Sequence, residues 1–311
     1  MTWWEAAILG VVQGLTEFFP VSSSGHLVMT QDVLGLEPEG ILFEIAVHVA
    51  TLFSVLVVYR AKLLALCRGC LGLDEVSTWP YVLKLGLATV PAAIVGFTMK
   101  DWFEARFDDP VFAGTMVLVT GSFVWSSRWV RDTAEGGRRP LPLDWTPILF
   151  AAAVSLLAGT LVPFLVVLGV EAALMMIGRA TAGAEWKTEP TWGGALLMGV
   201  AQAAAILPGI SRSGSTVLAG MWRRIDPVAA AEFSFLMSIP AILGAAVLSI
   251  PDIGTGGASI GLMPLLVGGV AAGISGVLAI RLFVVLLKRQ NFYTFAYYCW
   301  LVGAAFLLIP R

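Results

Sequence analysis

A chain of 311 residues that is 58% hydrophobic and only 13% charged, with a mean hydropathy of +0.86, is short of the polar surface needed to face water, since soluble domains carry about 25% charged residues. A formal net charge of −2 offers no basic excess for nucleic acid, and three cysteines make no disulfide framework. Long apolar runs recur along the whole length, so the composition predicts an all-α polytopic membrane protein seated in a lipid bilayer.

In chain order, Met1–Thr2–Trp3–Trp4–Glu5 carries no positive n-region, and no cleavable signal peptide is expected. Residues 3–36 form an apolar stretch broken in its middle by Pro20 and a run of serines. A span is expected at 41–59, followed by a loop in which Cys67 and Cys70 lack the second pair that a zinc site needs. Further spans are expected at 81–99 and 111–130. An apolar stretch at 147–178 is interrupted by Pro163. Residues 192–222 are broken like 3–36, here by Pro208, Gly209 and serines, and spans at 228–250, 260–287 and 292–309 end the pattern.

The two broken stretches are copies of one plan. "GVVQGLTEFFPVSSSGHLV" (10–28) lies over "GVAQAAAILPGISRSGSTV" (199–217) without gaps, pairing Gly10 with Gly199, Gln13 with Gln202, Ser22 with Ser211, Ser24 with Ser213 and Gly25 with Gly214. If each broken stretch dips in and returns on one side, every Lys and Arg except Arg212, Lys100, Arg106 and Arg311 falls on one face. By the positive-inside rule that face is cytoplasmic. The expected fold is therefore two inverted repeats, 1–130 and 192–311, each a re-entrant broken helix pair plus three transmembrane helices. Residues 131–191 hold cytoplasmic loops and the extra hairpin 147–178 between the repeats. Broken helices of inverted repeats meet near the midplane and expose their ends to a site.

Backbone at that depth cannot face lipid, because unsatisfied N–H and C=O groups cost several kcal/mol each. The N-terminus of each second half-helix is instead a ready anion site. Arg212 in the membrane needs an anionic partner, and its planar fork suits phosphate oxygens. Ser22, Ser24, Gly25, Ser211, Arg212, Ser213, Gly214 and Thr216 are the expected phosphate-binding groups, with Ser215 adding a hydroxyl. Glu17, one turn before the first break, is expected to pair with Arg212, to ligate a phosphate-bound divalent ion, or to activate water. His26 is a general acid/base candidate, and Ser23 beside it a candidate nucleophile. His48, four residues after Glu44, reads as a helix-packing group, Glu232 as structural, and Glu171 takes no role.

"QGLTEFFPVSSSGHL" and "PGISRSGST" resemble the two signature motifs of the undecaprenyl-diphosphate phosphatase family, also known for bacitracin resistance. "FEIAVHVATLFSVLVV", "LKLGLATVPAAIVGF" and "AAEFSFLMSIP" resemble its intervening spans, so the likeness covers nearly the whole chain. It implies removal of the terminal phosphate from a C55 polyprenyl diphosphate lipid, giving the monophosphate carrier reused in peptidoglycan synthesis. It also implies a divalent cation, Mg or Ca, and a site open to the outer face of the bacterial inner membrane. Carried over by motif position, the functional residues are Glu17, Ser23, His26, Ser211, Arg212 and Thr216.

Two departures stand out. Gln13 occupies a position that is Glu in some relatives, which puts more of any carboxylate role on Glu17 and counts against a two-carboxylate metal site. The stretch 147–178 is an addition, expected as a peripheral hairpin or re-entrant pair bent at Pro163. Attack on the terminal phosphorus is open between a water activated by Glu17 or His26 and Ser23 acting through a phosphoenzyme. The rival reading is a polyprenyl-phosphate flippase on the same scaffold. Leu218 stands where another membrane phosphatase class has its histidine. The sequence leaves room for a homodimer.

Overall fold

The computed structural model describes residues 1–36, 42–107, 109–132, 146–180, 185–249, 260–289 and 291–308. Arg138, Arg139 and Arg311, used above in the charge argument, lie outside the described residues, as does most of the 131–146 loop.

Among the described residues every extended element is a helix. The first broken stretch is α1 (Trp3–Phe18) and α2 (Ser23–Val33). Next come α3 (Leu42–Val58), α4 (Arg60–Cys70), α5 (Trp79–Thr98), α6 (Lys100–Phe107), α7 (Pro110–Trp125) and α8 (Ser127–Asp132). The extra stretch is α9 (Thr146–Leu157) and α10 (Leu161–Ala180). The second broken stretch is α11 (Trp192–Ala204) and α12 (Arg212–Trp222), followed by α13 (Pro227–Leu248), α14 (Leu262–Lys288) and α15 (Phe295–Leu308). Helices α5, α13 and α14 are each long and apolar enough to cross a membrane. Large apolar side chains such as Phe53, Ile94, Phe97, Val270 and Leu301 point outward from the bundle, which fits lipid rather than water around a multi-pass protein.

Several elements differ from the sequence reading: α6 fills the gap between the spans at 81–99 and 111–130, and the second of these is broken at Ser126 into α7 and α8. The segment after α3, expected as loop, begins with α4, which turns 75° away from α3. It is amphipathic, burying Leu66 while Arg60 and Arg68 stay outward, a pattern that shorter loop-like runs of mixed residues conceal. The extra hairpin turns at 158–160, where Gly159 has φ 73° and Thr160 N–H bonds back to the Ser155 carbonyl at 2.7 Å. Pro163 does not bend it. It sits in the first turn of α10, where its missing N–H is not needed. The hairpin packs against α7, α12 and α15 and puts Ala151, Val154 and Phe164 into the main core.

The core is built around close helix crossings. A reciprocal capping box between Thr2 and Glu5 starts α1, which then packs along α14, while α11 packs along α5. A Cβ on Gly14 would collide with Ser275 Oγ and the Ala272 carbonyl, and one on Gly199 with the backbone of Ala88. Lacking a hydrophobic drive between helices in lipid, such crossings are held by backbone-to-backbone packing at small residues. Lys62 pairs with Glu232 at 3.0 Å and Lys84 with Glu189 at 3.2 Å. Gly14→Ala should cost about 1–3 kcal/mol by overpacking and lower the unfolding temperature in detergent. Gly86→Ala, with open space around it, should leave that temperature unchanged.

Candidate active site

The α1 helix stops because Pro20 forces the preceding residue out of helical geometry: Phe19 is extended at φ −73°, ψ 149°. Ser22 then adopts φ 72°, a strained value for a residue with a side chain. Its hydroxyl caps α2 by accepting from the Gly25 N–H at 3.3 Å. The second break uses Gly209, at φ 94°, and Ser211 caps α12 by accepting from the Gly214 N–H at 3.0 Å.

The two turns touch. Gly209 N–H donates to Ser24 Oγ at 3.4 Å, and Ser213 Oγ donates to the Phe19 carbonyl at 2.9 Å. A Cβ on Gly25 would stand 2.9 Å from Gly209 Cα. From α7, Thr120 bonds the Gly209 carbonyl at 2.8 Å and accepts from the Ser211 N–H at 3.0 Å. Ser22, Ser24, Ser211 and Ser213, expected as phosphate ligands, thus spend hydrogen bonds on caps and on joining the turns. Gly25 and Gly214 spend their N–H groups on the caps. Thr216 points elsewhere, bonding the Arg212 carbonyl at 2.7 Å and Ser234 on α13 at 2.6 Å.

Glu17, Ser23 and Arg212 do come together. One Glu17 oxygen pairs with Arg212 Nη2. The other accepts from Ser23 Oγ at 2.5 Å and from Gln13 Nε2 at 2.9 Å, and lies 3.9 Å from His48 Nε2. Ser23 and Arg212 are repeat-equivalent positions, each the first residue of its half-helix, and both meet the same carboxylate. Among the described residues Arg212 Nη1 is buried with no partner, and a buried donor of this kind calls for an acceptor.

His26 follows one turn along α2, but its contacts go elsewhere than Ser23. Nδ1 bonds the Ser22 carbonyl at 2.7 Å, and Nε2 bonds the Tyr298 hydroxyl at 3.1 Å. The sequence reading missed His48, Tyr298 and Thr120 as neighbours of the site. His48 keeps its expected helix bond, Nδ1 to the Glu44 carbonyl at 2.7 Å, and its Nε2 faces Glu17 as well. Histidine at a helical i+4 position from a carboxylate signals packing, so nothing local pointed to this second contact.

Among the described residues no three His, Cys, Asp or Glu side chains converge as metal ligands. Beside Glu17, however, the amide oxygen of Gln13 is buried and has no partner among the described residues. One carboxylate and one uncommitted amide oxygen do not make an all-protein cage. They fit a divalent cation that brings phosphate oxygens as further ligands, the usual manner of Mg²⁺.

The bacitracin resistance protein BacA family matches residues 6–149 and 141–305. A protein named undecaprenyl-diphosphatase from Desulfatibacillum aliphaticivorans is 34% identical, over 99% of this chain and 99% of its own length. One of the same name from Alkaliphilus metalliredigens (strain QYMF) is 35% identical over 99% and 98%. Another, from Carboxydothermus hydrogenoformans, is 34% identical over 99% and 98%.

Removing one partner of a buried ion pair strands the other, at about 3–5 kcal/mol. Arg212→Met should therefore lower the thermal midpoint in detergent strongly. Glu17→Gln combined with Arg212→Met should recover part of the loss; strictly additive losses would show that the pair is not coupled.

Proposed function

The chain belongs to the bacitracin resistance protein BacA family, and on that premise we infer that it is an undecaprenyl-diphosphatase. It is a membrane hydrolase that removes the terminal phosphate of undecaprenyl diphosphate and so serves cell-wall synthesis and bacitracin resistance. The observation that carries this reading is the meeting of Glu17, Ser23 and Arg212 where two broken helices touch, with a guanidinium nitrogen left unpaired. That cluster holds the parts of a phosphoryl-transfer site, and the flippase reading is not favoured.

At the finer level we propose that the chain is two inverted repeats in the bacterial inner membrane, with the site toward the outer face. The matched 10–28 and 199–217 segments support this, as does the exchange of partners in which α1 packs on α14 and α11 on α5.

The proposed mechanism begins when the diphosphate draws Arg212 off Glu17 and onto equatorial oxygens, where its two-nitrogen fork neutralises charge. Glu17, freed, takes the Ser23 proton as Ser23 Oγ attacks the terminal phosphorus in line. The bond to the bridging oxygen breaks, and protonated His26 gives its Nε2 proton to the departing lipid phosphate. Water then attacks the phosphoserine and loses a proton to His26. Glu17 returns the first proton to Ser23, and inorganic phosphate leaves. The turn serines and glycines position these groups by locking the two half-helices together. A divalent cation, when bound with the phosphates, would be held by Glu17 and the Gln13 amide oxygen and would supply charge neutralisation.

Purified protein in detergent should release inorganic phosphate from undecaprenyl diphosphate; a flippase would release none. Chelator should stop release, and Mg or Ca should restore it. Ser23→Ala should lower kcat by about 100-fold or more, and acid quench of wild-type turnover should trap labelled phosphoserine. Direct water attack would leave no such label. Arg212→Lys, which keeps the charge but loses the fork, should lose most turnover.

A further inference from the structure

The first signature motif supplies His26, but the residue that holds the ring in place comes from α15, at the far end of the chain. Tyr298 lies over His26 with ring centroids 5.6 Å apart and planes only 8° from parallel. Its hydroxyl reaches Nε2 at 3.1 Å. On the other edge of the ring, Nδ1 is 2.7 Å from the Ser22 carbonyl. A carbonyl oxygen can only accept, so the Nδ1 proton is committed there and all proton exchange falls to Nε2. The phenol at Nε2 can donate to a neutral imidazole or accept from an imidazolium. One contact therefore holds the ring in both proton states, and it gives way at Nε2 to the phosphate or the water only during the transfer itself. His26 is 7% exposed, whereas Tyr298 is 44% exposed. The same stretch of α15 is tied to the first turn by Cys299, whose thiol faces the Pro20 carbonyl at 3.7 Å.

We propose that Tyr298 is a positioning residue for His26, fixing the ring plane by stacking and steering proton transfer to Nε2 by its hydroxyl. The proposal rests on the reading above, in which Nε2 exchanges protons with the departing lipid phosphate and with water.

The test uses the full chain with imidazole-¹⁵N histidine, in detergent. Only two histidines are present, and His48→Gln assigns the resonances. In Tyr298→Phe the stack remains and the hydroxyl is gone. The His26 Nε2 resonance should move while Nδ1 and the His48 signals stay, showing an intact fold. kcat on undecaprenyl diphosphate should fall about tenfold, a part of the usual acid–base contribution, with KM changed by less than about twofold. Tyr298→Leu, which also removes the stack, should lower kcat further and disturb both His26 nitrogens. An unmoved Nε2 resonance or a wild-type kcat in Tyr298→Phe would overturn the proposal. So would a loss carried wholly by KM, which would make Tyr298 a lipid contact. If the wild-type protein releases no phosphate, the enzymatic reading fails separately, and the Nε2 resonance still decides whether Tyr298 holds His26.

Discussion

An ionised carboxylate inside an apolar bundle must be matched, and the match between Glu17 and Arg212 organises everything near it. Glu17 ends the first half of one broken stretch and Arg212 starts the second half of the other. Their pairing therefore joins segments nearly two hundred residues apart in sequence. An unpaired arginine in the membrane costs about 3 kcal/mol or more, so separating the two turns is opposed by charge as well as by packing. In the proposed mechanism the same pair is exchangeable: a phosphate offers Arg212 an equivalent anion, and Glu17 then becomes a base with Ser23 already bonded to it, so that structural requirement and chemistry use the same atoms.

Around that pair the polar groups divide by task. The capping serines Ser22 and Ser211, with Ser24, Ser213 and Thr120, satisfy the backbone groups that the two breaks expose. Buried between helices such groups have no water to bond, so a broken helix survives only where neighbouring side chains replace it. This explains why turns so rich in hydroxyls present few of them outward. The proposed mechanism draws on a short set: the Ser23 hydroxyl, the Arg212 fork, the Glu17 carboxylate and the Nε2 edge of His26, which the Tyr298 hydroxyl holds.

The proline of the extra hairpin shows where pattern reading slips. A proline inside an apolar run suggests a bend, yet Pro163 falls in the first turn of α10, where it is tolerated, and Gly159 makes the turn four residues earlier. Helix α4 was equally hidden, because a short amphipathic segment with three basic residues resembles a loop until its buried side is seen. At the site, Tyr298 and His48 sit in runs whose spacing suits ordinary helix packing, and no motif marks them.

The sequence by itself determined the helical, lipid-facing character of the chain, the two breaks, and the chemical types gathered at them, because hydropathy, proline, glycine and serine act locally. The match between 10–28 and 199–217 also made Ser23 and Arg212 recognisable as equivalent positions. Only the tertiary structure decided which hydroxyls hold the turns together and that Ser23 meets Glu17 instead. It also decided that His26 leans on Tyr298 rather than on Ser23. Those outcomes depend on how α7, α3 and α15 approach the breaks, and such long-range packing is a property of the whole bundle that no local pattern encodes.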